Sequence, residues 1–255
     1  MPMKYVFVLF ILLSVLAPLS MANAQNKVVV IPMFEETTIY VGVAKTGNNY
    51  CTQPVAGNHW ALQNCVSVAA DISGQDGAFT AGAQAQPRFV DNANGTVLDK
   101  LTGLIWLKDA ACANDIANWP TALLLVVELN SAGTMNSNSC GDLSNKGVHQ
   151  ADWRLPNIKE LQSLLNYGDH GAPYISDLAG NGHYLDTPVF SNLVIDSAYW
   201  SSTTYGVGVS SITNDDFYDN ALRVNFGNGV VDGTGKSTGV EFGVGENVWA
   251  VRGPE

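Results

Sequence analysis

Along most of the chain, short β-forming apolar runs alternate with polar turns, and two segments interrupt that rhythm with helical spacing. An apolar run from Tyr5 to Leu16 comes first. Val28 to Ile31 and Thr38 to Val43 follow as two predicted strands, separated by Pro32 and Glu35-Glu36. From Lys45 to Gln86 the chain is rich in Gly, Asn, Gln and Ala with little periodicity, which predicts a loop-rich lead-in. A denser pattern begins at Arg88. Phe89-Val90-Asp91 and Thr96-Val97-Leu98 flank Asn92-Ala93-Asn94-Gly95, and Asn-Gly between β-formers is a strong hairpin signal. Leu104 to Leu107 predicts a buried strand.

Two helices are expected next. Pro120 suits a first helical turn, and the apolar run Ala122 to Leu129, ending near Asn130, Ser131 and Gly133, predicts a helix buried on most sides. Asn157 with Glu160 three residues on is a variant capping box. Ile158, Leu161, Leu164 and Leu165 then share one face of a helix predicted to end near Tyr167-Gly168. From Tyr199 onward the β-compatible runs are Tyr199-Trp200, Ala221 to Phe226, Gly229-Val230-Val231 and Asn247 to Val251, with a second hairpin signal at Asn228-Gly229. A hairpin, two helices and then an antiparallel array make an α+β layout rather than repeated β-α units.

Composition narrows the function classes. With 46% hydrophobic and 14% charged residues the chain is globular material, and its net charge of −11 repels phosphate backbones and anionic headgroups. Nucleic acid is therefore not an expected partner. Lys4 before the first apolar run and Ala22-Asn23-Ala24 after it form the pattern of a secretory signal peptide, residues 1–24, with Gln25 as the mature N-terminus. The run is short of the roughly 20 residues that span a bilayer, and no later stretch approaches that length, so no membrane span is expected after cleavage. The expected address is secreted, periplasmic or cell-surface. Residues 25–84 are read as a loop-rich N-terminal region and 85–255 as the main domain.

An oxidising address makes the four cysteines candidates for disulfides, for which three connectivities exist. Cys51 and Cys65 share the polar lead-in, while Cys112 and Cys140 flank the first predicted helix, so neighbours are expected to pair. No C-x-x-C occurs, and only His59 lies near a cysteine, six residues before Cys65. Neither a metal nor a cofactor is expected. Asp91, Asn92, Asn94 and Asp99 concentrate oxygen atoms, but they miss the alternate-residue spacing of an EF-hand loop.

Five motifs in order carry a resemblance to a known family. They are Arg88-Phe89-Val90-Asp91 through Asn94-Gly95-Thr96; Leu101-Thr102-Gly103-Leu104-Ile105-Trp106; Asp152-Trp153-Arg154-Leu155-Pro156 with Lys159-Glu160-Leu161; Tyr199-Trp200-Ser201-Ser202-Thr203; and the closing Val251-Arg252-Gly253. Over about residues 88 to 253 the chain resembles the Lcl C-terminal domain family, named for the ends of bacterial collagen-like surface proteins. The resemblance implies a C-type-lectin-like fold of the formylglycine-generating-enzyme type. No collagen repeat accompanies it here.

The motif residues are expected to build the frame. Trp106, Trp153, Trp200 and Pro156 suit core and turn positions, Arg252 closes the last strand, and Asp152 with Arg154 suggests a charge-assisted pair or contacts to exposed carbonyls. Ser201 and Ser202 have no G-x-S-x-G setting, and His59, His149, His170 and His183 all fall in loops expected to be solvated. Gly235-Lys236-Ser237 resembles the end of a phosphate loop, but Val230 stands where that loop needs Gly. Formylglycine-generating enzymes carry their reactive cysteines late in the domain, whereas all four here precede residue 141. No enzyme activity is expected, and a hydrolase or oxidase with an unrecognised site is the alternative. By analogy with the fold, ligand should be met between the Trp-Ser-Ser motif and the last strand, where Tyr205, Asp215, Asp216, Tyr218 and Asn220 mix aromatics, carboxylates and an amide. A glycan or an extracellular protein is the expected partner.

Overall fold

A computed structural model describes residues 45–48, 50–57, 59–68, 73–79, 82–168, 175, 188–195, 197–205, 220–236 and 245–253. The predicted signal peptide and the two strands predicted before Lys45 lie outside these residues. The described part is α+β, with antiparallel sheets and few helices.

The main sheet starts from the hairpin predicted at Asn92–Gly95. β3 (Phe89–Asp91) and β4 (Thr96–Asp99) pair across it, and β5 (Ile105–Leu107) and β11 (Val251–Arg252) complete the order β11-β5-β4-β3. The turn oxygens are used locally. Asp91 accepts from the Ala93 amide (2.9 Å) and from Lys108 Nζ (2.6 Å), and Asn94 Oδ1 accepts from the Thr96 amide and hydroxyl. Gly95 has φ +82°, and a Cβ there would lie 1.9 Å from the carbonyl oxygen of Gly141, so the close backbone approach admits only glycine. On the outer edge of β11, Arg154 exchanges two backbone hydrogen bonds with Val251 and brings the Asp152–Pro156 motif alongside the sheet.

α2 (Trp119–Ala132) is capped by Asn118, whose side chain accepts from the Thr121 amide, and it ends at Gly133 with φ +73°. A short ribbon, β6 (Thr134–Met135) with β7 (Asn138–Ser139), follows it. Contrary to the expectation of a helix buried on most sides, only the stripe Ala122, Val126 and Leu129 is buried, and Leu124 and Val127 are 66% and 61% exposed. A helix packed along one side leaves its other positions in solvent whatever their chemistry. α3 (Ile158–Ser163) has the complete capping box, with Asn157 accepting from the Glu160 amide and Glu160 accepting from the Asn157 amide. It stops at Ser163, short of Tyr167, because Leu165 leaves the helix to bridge Ile175.

The second sheet has the order β10-β9-β8, from β8 (Ala198–Tyr205), β9 (Asn220–Asn225) and β10 (Val230–Gly235). Of the strand predicted from Asn247 to Val251, only the last residue joins a ladder. Glu246 and Asn247 instead make single bridges to Ala117 and Tyr199. Trp249 is the hub of the core between the sheets. Its ring lies 5.1 Å from Trp106, 4.7 Å from Phe190, 5.6 Å from Tyr199 and 6.1 Å from Phe226. Its indole donates to the Leu107 carbonyl at 2.8 Å.

The lead-in is more ordered than its composition suggested. β1 (Cys51–Val55) and β2 (His59–Gln63) form a hairpin, followed by a 3-10 turn at Cys65–Ser67 and the single-turn α1 (Asp76–Phe79). Cross-strand pairing, not periodicity, orders this segment. Tyr167 donates its amide to the Thr46 carbonyl at 2.6 Å. The disulfides are Cys51–Cys65 and Cys112–Cys140, the two neighbour pairings expected.

Candidate functional site

The three-stranded sheet ends in a row formed by Tyr205, Asn220 and Gly235, which are register partners across β8, β9 and β10. The chain leaves β8 at Tyr205 and re-enters β9 at Asn220, so residues 206–219 begin and end on this row. Just below it β8 bulges. Trp200 pairs with Arg223 and Thr204 with Ala221, so Ser201, Ser202 and Thr203 face Leu222 alone. The bulge is held by two of its hydroxyls and one backbone amide. Ser201 donates to the Leu222 carbonyl at 2.7 Å, the Ser202 amide donates to the Pro156 carbonyl at 2.8 Å, and Thr203 Oγ1 accepts from the Ile158 amide at 3.0 Å. Trp200 is fully buried and its indole donates to the Ala117 carbonyl at 2.6 Å.

Beside the row, the Trp119 ring is half-buried. Its indole donates to the Ser201 carbonyl at 2.8 Å, and Lys236 Nζ lies 4.5 Å over the ring while donating to Thr204 Oγ1 at 3.0 Å. An aromatic ring with a cation over its face therefore borders the base of the segment. Deeper in the sheet, Arg223 pairs with its cross-strand partner Asp232 at 2.8 Å and with the buried Glu246. The hydrogen bond to Asp232, aided by Glu246 against the opposing effect of burial, raises the guanidinium above its ordinary pKa. Glu246 Oε2 also accepts from the Ala198 amide at 3.2 Å, which fixes the start of β8.

A family model described as the Lcl C-terminal domain matches residues 95–252. The chain belongs to this family. No curated protein and no solved structure matches it. The match to the Lcl C-terminal domain spans the sheet row, α2, α3 and the closing strand. Arg88 and β3 precede it and still complete the main sheet. Membership indicates a surface-associated domain. No helix of the described residues is long and apolar enough to cross a membrane.

The remaining candidate residues divide sharply. Asp215, Asp216 and Tyr218 lie outside the described residues, as do His170 and His183, while Tyr205 and Asn220 are adjacent register partners in the row, at the end of β8 and the start of β9. Among the described residues no three His, Cys, Asp or Glu side chains cluster as a metal centre would require. Asp152 does not pair with Arg154. Arg154 makes a bidentate pair with Glu160 (2.7 and 2.6 Å) and donates to the Gly253 carbonyl, and Asp152 lies 3.5 Å from Arg252. The capping box holds the Glu160 carboxylate in place for the guanidinium fork, a fit that the exposed Asp152 does not offer. That pairing raises the Arg154 pKa. Arg252 lies over the Trp153 ring at 5.7 Å, and the Trp153 indole donates to Asp142 at 2.8 Å. Burial pushes the Asp142 carboxyl up, but hydrogen bonds from Ser144, Gln150 and Trp153 outweigh it and hold the group below its ordinary value.

Sequence reasoning missed Trp119 and Lys236. The nearest available signal was Trp119-Pro120 at a helix start, which says where the ring begins but not which strand end it meets.

Proposed function

We propose that this chain is an exported, non-catalytic binding or adhesion module that meets its ligand on the segment from Tyr205 to Asn220. The segment is presented by a frame of C-type-lectin-like, formylglycine-generating-enzyme type. The observation that carries this reading is the pairing of Tyr205 with Asn220 at the end of a sheet whose adjoining bulge is held by the Ser201 and Thr203 hydroxyls. An insertion on a fixed base can vary in sequence without disturbing the core. The segment contains Asp215, Asp216, Phe217, Tyr218 and Asp219, and Trp119 with Lys236 borders its base.

Aromatic faces stack on sugar rings while amides and carboxylates bind hydroxyls, so a neutral glycan suits this chemistry. A basic protein surface suits it as well. Sulfated glycans would be repelled by the clustered acids. Export rests on the signal-peptide pattern ending at Ala24, and the two disulfides agree with an oxidising address.

The test is a panel of neutral glycans, sulfated glycans and extracellular-matrix proteins, with and without calcium, against the parent and a triple variant, Asp215→Ala, Asp216→Ala and Tyr218→Ala. The variant should unfold within about 1.5 kcal/mol of the parent, at roughly 0.5 kcal/mol per exposed substitution, yet lose capture of any ligand the parent holds. Undiminished capture by a folded triple variant would overturn the proposed site. Catalytic turnover abolished by one His or Ser substitution would overturn the non-enzyme reading.

A further inference from the structure

The β1–β2 hairpin has two outer edges, and they are treated differently. On the β1 side, Gln75 acts as a surrogate strand: its amide donates to the Thr52 carbonyl at 2.7 Å and accepts from the Thr52 amide at 2.8 Å. Thr52 therefore points its backbone groups away from β2. Because hydrogen-bonded and non-hydrogen-bonded pairs alternate along an antiparallel ladder, Thr52/Leu62 and Pro54/Trp60 are both non-hydrogen-bonded pairs. Pro54, which has no N–H, fits that place. It follows that Trp60 and Leu62 direct their N–H and C=O groups to the far side of β2, where no other described element meets them.

This second edge lacks the usual guards of an exposed strand, which are charge, proline or a bulge. Between Lys45 and Asp71 the sequence contains no Asp, Glu, Lys or Arg, although the whole chain carries −11. Trp60 and Leu62 also share one face of the hairpin and are 61% and 55% exposed. Two copies repel each other over most of their acidic surface, and this uncharged edge is where that repulsion is weakest.

We infer that the outer edge of β2 pairs with the same edge of a second copy, antiparallel about Ala61. In this register Trp60 lies opposite Leu62 of the second copy and Leu62 opposite its Trp60. The outward backbone groups of both residues are satisfied, and Ala61 faces itself across the two-fold axis. The four strands form one sheet with a continuous stripe of two Trp and two Leu side chains on one face. Five-residue strands bury well under a standard interface, so the dimer is weak and concentration-dependent.

The register supplies its own test, made on the exported chain by sedimentation equilibrium from about 1 µM to about 1 mM, a span that reaches weak complexes. The parent should show a dimer fraction that rises with concentration. Ala61→Asp and Ala61→Lys each place like charges across the axis and should weaken self-association at least tenfold. Mixing the two variants should restore the dimer, because Asp then faces Lys. Hydrogen exchange on the parent gives a readout that needs no variant: the Trp60 and Leu62 amides should gain protection as concentration rises, while the Thr52 amide, already held by Gln75, should not change. A parent that stays monomeric throughout overturns the proposal. So do variants that dimerise like the parent, folded variants whose mixture stays monomeric, or Trp60 and Leu62 amides protected equally at every concentration.

Discussion

Removing the Asp99 side chain should be strongly destabilising, and the reason is burial rather than distance. Its carboxylate accepts from Arg88 Nε (3.0 Å) and Nη2 (2.8 Å), from the Leu101 amide (3.0 Å) and from the Thr102 hydroxyl (3.0 Å). Asp99 is 0% exposed and Arg88 is 4% exposed. In Asp99→Ala the guanidinium stays in the interior with only the Ser163 carbonyl, at 2.9 Å, and the Phe89 ring beside it. Breaking one half of a buried ion pair costs about 3 to 5 kcal/mol, and the orphaned Leu101 amide adds about 1 kcal/mol. The expected loss is therefore about 4 kcal/mol or more, a large share of the roughly 5 to 15 kcal/mol that stabilises a domain. Urea unfolding should show it directly, and Tm should fall by roughly 2 to 4 °C for each kcal/mol lost. Lys108→Ala is the control. Its pair with Asp91 is shorter, 2.6 Å, but both partners are 39% exposed, so the loss should stay within about 1 kcal/mol. If Asp99→Ala costs no more than Lys108→Ala, burial is not what makes the pair matter and the reasoning fails.

Acid should act through Asp142. Its folded pKa is depressed, so its contribution is present above the unfolded value of about 3.9 and is lost as pH falls through the folded value; chemical unfolding of the parent below about pH 4 should steepen relative to Asp142→Asn, and parallel profiles would count against this. Trp249→Ala removes the ring at the centre of the core and leaves the Leu107 carbonyl without its donor, so it should cost roughly 3 to 5 kcal/mol and collapse the near-ultraviolet dichroism, and a loss under about 1 kcal/mol would show that the hub is dispensable.

The features that could be read from the sequence are those whose physics is complete within a few residues. Asn94-Gly95 encodes its hairpin because the turn oxygens and the left-handed glycine are supplied on the spot. Pro120 in the first turn and Gly133 at the end mark α2 for the same reason, and Asn157 with Glu160 closes its box across three residues. The disulfide pairing follows from loop context together with the oxidising address that the signal-peptide pattern predicts. For the candidate site, the sequence marks Tyr205 and Asn220 as part of a polar, aromatic interruption between strand-like runs, and they are paired neighbours in the row that closes the sheet.

Tertiary structure decided the partnerships between distant residues. Asp152 and Arg154 are neighbours, yet each finds its cation or anion elsewhere, because a carboxylate held by a helix cap outcompetes one in solvent. Arg88 finds Asp99 across a hairpin, Lys236 covers Trp119 from far along the chain, and Trp249 becomes the core hub only when the last strand returns to β5. The length of α3, the exposed face of α2 and the open edge of β2 were decided in the same way. Periodicity states which residues can share a face, but burial depends on what the folded chain brings against that face, and no local interaction carries that information.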